Sequence, residues 1–448
     1  MAKAQHVIPI SADWIIKRIL EGKKVRLKNA KIDGVIDLSK LDLPTKTVDR
    51  TDFQKNVLKL SPECKIVSSS IDISDSKFTG LVNFSNCIFD AISRFNGATF
   101  SEVAGFNGAT FSEVAGFYRV TFGGYAWFNG AMFSKDAWFN GAMFSKDAWF
   151  YEVTFSKGAG FDGAMFSKDA WFNGATFNEV AWFYEATFSE DAGFGGATFS
   201  RDARFDRATF SKYARFNGAT FKGNAEFDGA TFSEGAGLYK ATFSDVARFE
   251  GVTFKGIVFF EGCKFEVDFL TFRDAMFTYP HAQEEACRRA KNVLAKAGNR
   301  DEEEYHFYRE MEAKRIQKGI RGNSGLGLGD CLKTDTWSFR RFFVHDVLEF
   351  IFVQKIFGYG VYPFHLFGWW LIFVVTFAII FSVKGALEEP VARQWYDYLW
   401  FSIATAATPG YALYKPLGLF KFIAGIEAIL GTFMWAAFIT TFARKFSR

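Results

Sequence analysis

The sequence FNGATFSEVAG occupies residues 95–105 and recurs unchanged at residues 106–116. Steps of five and six residues between successive phenylalanines therefore alternate, and the pattern repeats every eleven residues. From Phe95 to Phe265 every position in this phase is Phe except Leu238. An earlier fragment keeps the same steps with Leu27, Ile32, Leu38 and Leu43. A repeat this regular decides the fold of the longest part of the chain.

A spacing of five and six residues matches neither the period of a helix nor the alternation of a long strand. It is typical of a chain that turns a corner every five or six residues. The small residue two positions before a Phe, such as Ala98 or Ala104, then points to the same side as the Phe. Four sides close a square coil of two repeats. Coils stacked at the strand spacing predict about 11 coils and a rod about 50 Å long, filled with Phe over small residues.

These units resemble the pentapeptide-repeat family in its Phe-rich form of alternating ATF and AxF motifs. The resemblance covers residues 25–277 and implies an all-β, right-handed quadrilateral β-helix, with residues 1–24 expected as an N-terminal helical cap. It implies no chemistry of its own, because repeat rods serve mostly as scaffolds and binding surfaces.

Tryptophans form two columns among the outward residues that precede the AxF phenylalanines. One column contains Trp127, Trp149 and Trp171, and the opposite column contains Trp138 and Trp182. Two interpretations stay open. The indoles stack as ladders on a solvated face, or they form a contact surface, since exposed Trp clusters mark interfaces. The partner of such a surface is not specified by the sequence.

Composition and charge exclude several classes of function. The net charge is +4 in 448 residues, which gives no strong attraction for nucleic acid. The five cysteines are scattered without a CxxC pair, so we expect neither a disulfide framework nor a metal site, and a reducing compartment fits best. No nucleophile or metal-ligand spacing accompanies the five histidines. We therefore expect no catalytic residues, no cofactor and no enzyme. The histidines are His6, His281, His306, His345 and His365.

A helical connector follows the rod. Residues 278–320 predict a helical hairpin, with Gly298 and Asn299 as the stop of its first helix. The Gly-rich segment 321–341 lacks the GK[ST] of a phosphate loop and is predicted to be a flexible linker.

The C-terminal region contains two apolar stretches long enough to cross a bilayer. Phe364 to Val383 has no charged residue, and Leu417 to Ala443 contains only Lys421 and Glu427 in its interior. Lys and Arg are more frequent outside these two spans than between them, which places both termini and the rod in the cytoplasm, at the cell membrane. Residues 342–362 are expected to form an interfacial helix, and residues 363–448 a two-transmembrane pore domain.

Between the spans, a short aromatic segment leads into the sequence TPGYA at 408–412. A short helix that enters the membrane and returns as an extended strand is the arrangement of a cation pore, in which strand carbonyls replace the water of the ion. The segment resembles the two-transmembrane potassium-channel pore family, with a re-entrant pore loop. The resemblance implies that Thr408, Pro409, Gly410, Tyr411 and Ala412 form the ion filter. It implies supporting positions in the pore helix and second span, which are Thr405, Glu427 and Gly431.

Three residues depart from the family pattern. Ala412 replaces the last filter glycine, Pro409 removes a backbone N–H, and Lys415 lies near the mouth, where four copies would oppose cations. Two spans cannot enclose a pore alone, so the sequence predicts a homotetramer in the bilayer that conducts potassium as its permeant monovalent cation, with weakened selectivity. The alternative is a membrane-anchored repeat scaffold with a degenerate, non-conducting pore.

Overall fold

We analysed a computed structural model of the chain, which describes residues 7–322, 354, 359, 363–383, 386–388, 394–408 and 414–446. The chain divides into two compact units, Met1–His306 and Phe307–Arg448. The boundary falls within a continuous helix, and each unit is described by itself below. The predicted linker at 321–341 and the predicted interfacial helix at 342–362 lie almost entirely outside the described residues.

The first unit is a β-solenoid of about 12 turns, in which each coil contributes one short strand to each of four sheets. We number these faces 1 to 4 in the order in which the chain visits them within a complete coil. Face 1 contains the strands Ile8–Ser11, Ala30–Asp33, Lys77–Phe78, Thr99–Phe100, Thr121–Phe122, Met143–Phe144, Met165–Phe166, Thr187–Phe188, Thr209–Phe210, Thr231–Phe232, Thr253–Phe254 and Met276–Phe277. Face 2 contains Ile36–Asp37, Val82–Asn83, Ala104–Gly105, Ala126–Trp127, Ala148–Trp149, Ala170–Trp171, Ala192–Gly193, Tyr213–Arg215, Gly235–Gly237 and Ile257–Phe259.

Faces 3 and 4 lie opposite faces 1 and 2. Face 3 contains Thr45–Thr47, Glu63–Val67, Cys87–Phe89, Thr110–Phe111, Met132–Phe133, Thr154–Phe155, Thr176–Phe177, Thr198–Phe199, Thr220–Phe221, Thr242–Phe243 and Lys264–Phe265. Face 4 contains Val25–Lys28, Ile71–Ser74, Ser93–Arg94, Ala115–Gly116, Ala137–Trp138, Ala159–Gly160, Ala181–Trp182, Ala203–Arg204, Ala225–Glu226, Ala247–Arg248 and Leu270–Thr271. The predicted quadrilateral β-helix is confirmed.

Stacked phenylalanines fill the interior, as the eleven-residue phase predicts. Phe150 is fully buried between Phe128 and Phe172, whose ring centroids lie 4.9 and 4.6 Å away in nearly parallel planes. Rings from neighbouring sides meet edge to face, with Phe139 and Phe150 at 5.7 Å and 90°. Both arrangements are ones that aromatic pairs prefer, and the stacking distance equals the spacing of paired strands. The alanines two positions before each AxF phenylalanine are buried as well.

One corner in every eleven residues uses a left-handed backbone. These positions run from Gly97 to Gly262 in steps of eleven, and most of them are glycine, often the glycine of an FNG or FDG corner. Gly163, for example, has φ of +61° and open space where a Cβ would lie, so the backbone conformation alone favours glycine there.

The coil length departs from 22 residues at two places. Leu27 pairs with Ile73, 46 positions later, because an insertion carries the 3₁₀ helix Leu38–Lys40, the antiparallel strand Thr45–Thr47 and helix α2, Asp52–Asn56. The buried guanidinium of Arg50 fastens this insertion by donating to the carbonyl oxygen of Gly108 at 2.7 Å. Near the other end a single extra residue makes Phe249 stack on Phe272.

Helices cover both ends of the solenoid core. Helix α1, Ala12–Leu20, buries Ile15 and Ile19 near the first strands. Helix α3, Pro280–Ala297, packs alanines and Leu294 against the last coils and ends at Gly298, whose φ is +73°. Helix α4, Arg300–Gly322, begins beside the last coil. There His306 is buried, and its Nε2 accepts a hydrogen bond from the backbone N–H of Phe272 at 2.9 Å.

The second unit contains three further helices with apolar sequences. They are α5, Pro363–Phe381, α6, Trp395–Ala407, and α7, Phe420–Phe446. All three contact one another. Helix α6 lies between the other two in sequence and packs against both.

Candidate functional site

Helices α5 and α7 are long and apolar enough to cross a bilayer. The candidate spans are Phe364–Phe381 and Phe420–Ala443. Much of their apolar surface is uncovered in the single chain, with Ile379 65% and Ile429 72% exposed. Surfaces of this kind and size suit lipid or further copies of the chain.

Helix α6 is too short to cross. Its 13 residues span about 20 Å at 1.5 Å per residue, against about 30 Å for the hydrocarbon core. The chain leaves the helix at Thr408 in an extended conformation, with φ −140° and ψ 94°. The Thr408 hydroxyl donates to the carbonyl oxygen of Ala404 at 3.0 Å. A short helix that changes to extended backbone at Thr408 is the arrangement expected of a pore helix and the first filter residue.

A buried hydrogen-bonded group joins α6 to both spans. The Ser402 hydroxyl lies 2.8 Å from the carbonyl oxygen of Val374 in α5 and also hydrogen-bonds to Oε1 of Glu427 in α7. Ser402 and Glu427 are both 0% exposed. Glu427 therefore faces protein, and its hydrogen-bond partner is a side chain of α6.

A second contact between α6 and α7 lies one turn further along. A Cβ built on Gly431 would fall 2.6 Å from both the Cα and the carbonyl oxygen of Ala406, so only glycine permits this approach. Gly425, in the same helix, has nothing within 4 Å of such a Cβ. Gly431 thus lets α7 approach the backbone of α6 closely. The role of Gly431 as a support of the pore stays a prediction.

Two buried polar atoms, one on α6 and one on α7, are without a hydrogen-bond partner among the described residues. They are Oγ1 of Thr405 and Oε2 of Glu427. Thr405 is 7% exposed and lies one turn before Thr408. Pro409, Gly410, Tyr411 and Ala412 lie outside the described residues, so their assignment to the filter stays a prediction.

Residues 414–418, which precede α7, are anchored on the segment after α5. Pro416 pairs with Leu387, and the N–H of Leu417 donates to the carbonyl oxygen of Ala386 at 2.9 Å. Gly418 follows with φ +53° and lets the chain turn into α7. Lys415, next to this anchor, is exposed.

The tryptophan columns occupy the outer surfaces of faces 2 and 4. Trp127 stacks on Trp149 at 5.9 Å, and Arg215 lies over the ring of Trp171 at 5.9 Å. Trp138 and Trp182 lie on either side of Gly160 in the register of face 4, with ring centroids 5.9 Å apart. The rings are half-buried. This geometry agrees with the predicted registers, and a role of the columns in binding stays a prediction.

Acidic side chains at the corners of the rod bond to the next coil. Asp162 accepts from the backbone N–H of Tyr184 at 3.1 Å and from the amide of Asn140 at 2.9 Å. Burial nevertheless raises the pKa of Asp162, because desolvation outweighs these two hydrogen bonds. Within the described ranges, no three His, Cys, Asp or Glu side chains come together as a metal site would require.

Sequence reasoning missed Ser402. A lone hydroxyl in the apolar segment YLWFSIATAA is a weak signal, because Ser and Thr are common in buried helices. Its spacing could have indicated a role, since Ser402 precedes Ala406 by four residues just as Glu427 precedes Gly431. Two such pairs place one row of contacts along the face shared by α6 and α7.

Comparison with known proteins identifies both regions. Residues 95–143, 139–187, 172–220 and 183–231 match the family model of pentapeptide repeats, and residues 369–448 match the ion channel model. No curated protein and no solved structure matches the chain significantly. The chain therefore joins a pentapeptide-repeat β-solenoid to a two-transmembrane, potassium-channel-like ion-channel domain in its C-terminal region.

Proposed function

We propose that this protein is a homotetrameric cation channel of the cell membrane, with Thr408 to Ala412 as its filter. The permeant ion is potassium, and transport needs no cofactor and involves no catalytic step. Both termini and the repeat rod lie in the cytoplasm, as the distribution of Lys and Arg around the spans indicates.

One observation carries this proposal. A helix too short to cross is held between two apolar helices at Ser402 and Ala406, and it delivers extended backbone at Thr408. The ion channel model matches the same region. Extended backbone at that place can present carbonyl oxygens to a dehydrated cation, which is how cation filters work.

The tetramer follows from what one copy lacks. Two spans and one pore helix leave the filter segment without an opposite wall, and cyclic symmetry supplies the missing walls with identical surfaces. The uncovered apolar residues of α5 and α7 provide contact area for neighbouring copies as well as for lipid.

The test is ion flux into liposomes that contain the purified full-length chain. Potassium and sodium should enter and chloride should not, and native mass spectrometry should give the mass of four chains. The matched control is Gly410→Ala, which should assemble equally but pass no cation, because a filter glycine leaves no room for a side chain.

The scaffold alternative is favoured by one feature, the exposed Lys415 beside the anchored exit segment. It predicts an assembled, membrane-inserted protein that carries no flux of any ion. Tetrameric mass without flux would therefore support the scaffold and contradict the channel.

A further inference from the structure

Ser402, Val374 and Glu427 form a hydrogen-bonded group between α5, α6 and α7. If Glu427 were ionised, this group would have only the proton of the Ser402 hydroxyl for two hydrogen bonds. Ser402 lies between two acceptors, the carbonyl oxygen of Val374 and the carboxyl of Glu427. A serine hydroxyl has one proton to donate, and a carbonyl can only accept. If Ser402 donates to Val374, the second hydrogen bond exists only if Glu427 donates to the Ser402 oxygen, and a carboxyl donates only in its neutral form.

The surroundings of Glu427 favour the same assignment. Oε2 has no partner among the described residues, and none of the described ion pairs includes Glu427. Along the packed helices, the other charged or titratable residues are His365 on α5, Asp397 with its neighbouring tyrosines on α6, and Lys421, Arg444 and Lys445 on α7. Arg444 and Lys445 stand at the far end of α7, more than four helical turns beyond Glu427. Lys421 is exposed in the first turn of α7. A carboxylate buried here without a cation would pay a desolvation cost that no described contact offsets.

We propose that Glu427 is a neutral hydrogen-bond donor and that Ser402 passes this bond on to Val374, so that both are positioning residues for the pore helix. This inference rests on the proposed channel function. It assigns Glu427 a role other than the obvious one for an acidic residue near a cation filter, namely a charge that attracts cations.

The spacing of the contacts along α6 and α7 indicates how they position the pore helix. Glu427 and Gly431 lie four residues apart on α7 and meet Ser402 and Ala406, four residues apart on α6. The two pairs fix both the rotation and the height of α6 against α7. Thr408 follows Ala406 by two residues. A shift of α6 against α7 at these contacts therefore also moves Thr408, the first residue of the proposed filter.

The test compares four variants of the full-length chain in liposomes. Glu427→Gln keeps a neutral hydrogen-bond donor, whereas Glu427→Leu keeps only a side chain of similar size. Ser402→Ala removes the hydroxyl between Glu427 and Val374. The control, Thr376→Val, removes an exposed hydroxyl of α5. Potassium flux should stay within about twofold of the parent for Glu427→Gln and Thr376→Val, and should fall about tenfold for Ser402→Ala and Glu427→Leu, since a buried hydrogen bond is lost.

Infrared spectroscopy at neutral pH supplies the readout that packing alone would not change. The parent should show the carbonyl stretch of a protonated carboxylic acid, which should vanish in Glu427→Gln and shift in Ser402→Ala. A spectrum with no such band assigned to Glu427, or a Glu427→Gln flux as low as that of Glu427→Leu, would overturn the proposal. The band does not depend on conduction, so an inactive but protonated protein would reject the channel and not this assignment.

Discussion

At the residue scale, Gly431 is a position where adding a single methyl group should displace α6 directly. Its virtual Cβ lies 2.6 Å from backbone atoms of Ala406, which cannot move aside as a flexible side chain can. We expect Gly431→Ala to push α6 away from α7, to reduce potassium flux strongly and to lower the thermal midpoint in detergent. Gly425→Ala is the control, because its Cβ meets nothing within 4 Å. Equal flux in the two variants would show that this contact does not position the filter.

Phe150 tests the core of the rod in the same way. Its ring is 0% exposed and packs between Phe128 and Phe172. Phe150→Ala should lower the free energy of unfolding by about 3–5 kcal/mol through the cavity it leaves. Met143→Ala, which removes a 39% exposed side chain from face 1, should cost far less. Chemical denaturation followed by circular dichroism measures both, and unchanged unfolding of Phe150→Ala would refute the stacked core.

At the scale of elements, the buried acidic side chains at the corners of the rod, such as Asp162, make the stability of the rod depend on pH. Because burial raises the pKa of Asp162, the folded rod holds this proton more tightly than the unfolded chain. From the ordinary carboxyl pKa of about 3.9 up to the raised folded value, the free energy of unfolding therefore falls as pH rises. Asp162→Asn should remove the part of this dependence that Asp162 contributes and stabilise the rod at neutral pH.

The hydrogen bond that Asp162→Asn should keep is already made by an asparagine elsewhere in the rod. Asn129 accepts from the N–H of Tyr151 at 3.1 Å in the same way as Asp162 accepts from Tyr184. Denaturation of the full chain between mildly acidic and neutral pH should separate the variant from the parent. The control is Asp245→Asn, which removes a carboxyl from an exposed position of the rod. A parent profile identical to that of Asp162→Asn would contradict the account.

The repeat rod could be predicted almost completely from the sequence, and the insertion in it could not. Each Phe of the eleven-residue phase has the same environment as the Phe two repeats earlier, so one coil determines the next. The fragment from Leu27 to Leu43 keeps the phase, but nothing in it shows that Leu27 pairs with Ile73 across an insertion. The insertion is held in part by the hydrogen bond from Arg50 to the carbonyl oxygen of Gly108, a contact between residues 58 positions apart that no local pattern announces.

In the second unit, too, some features could be predicted from the sequence and others could not. Helix lengths and the burial of Glu427 follow from hydropathy and from the cost of exposing a carboxyl to lipid. The Ser402 partner does not follow, because it depends on how α5, α6 and α7 rotate about their axes. Hydropathy is nearly uniform around these helices and does not determine that rotation.

At the scale of the whole molecule, the departures in the filter sequence predict a channel with reduced selectivity. Ala412 stands where the potassium-channel family has glycine, and a left-handed backbone at Ala costs about 1 kcal/mol or more. Ala412→Gly should therefore raise the permeability ratio of potassium to sodium. The shift of reversal potential between potassium and sodium solutions measures this ratio, and an unmoved value would contradict our explanation of selectivity.

The central claim is that the C-terminal region conducts cations through the segment that begins at Thr408. The most direct measurement is the reversal potential of the purified full-length protein in a planar bilayer under a potassium chloride gradient. We predict a reversal potential close to the potassium equilibrium potential, and no current from Gly410→Ala. A reversal potential at the chloride equilibrium potential, or an inserted protein that passes no current, would contradict the account.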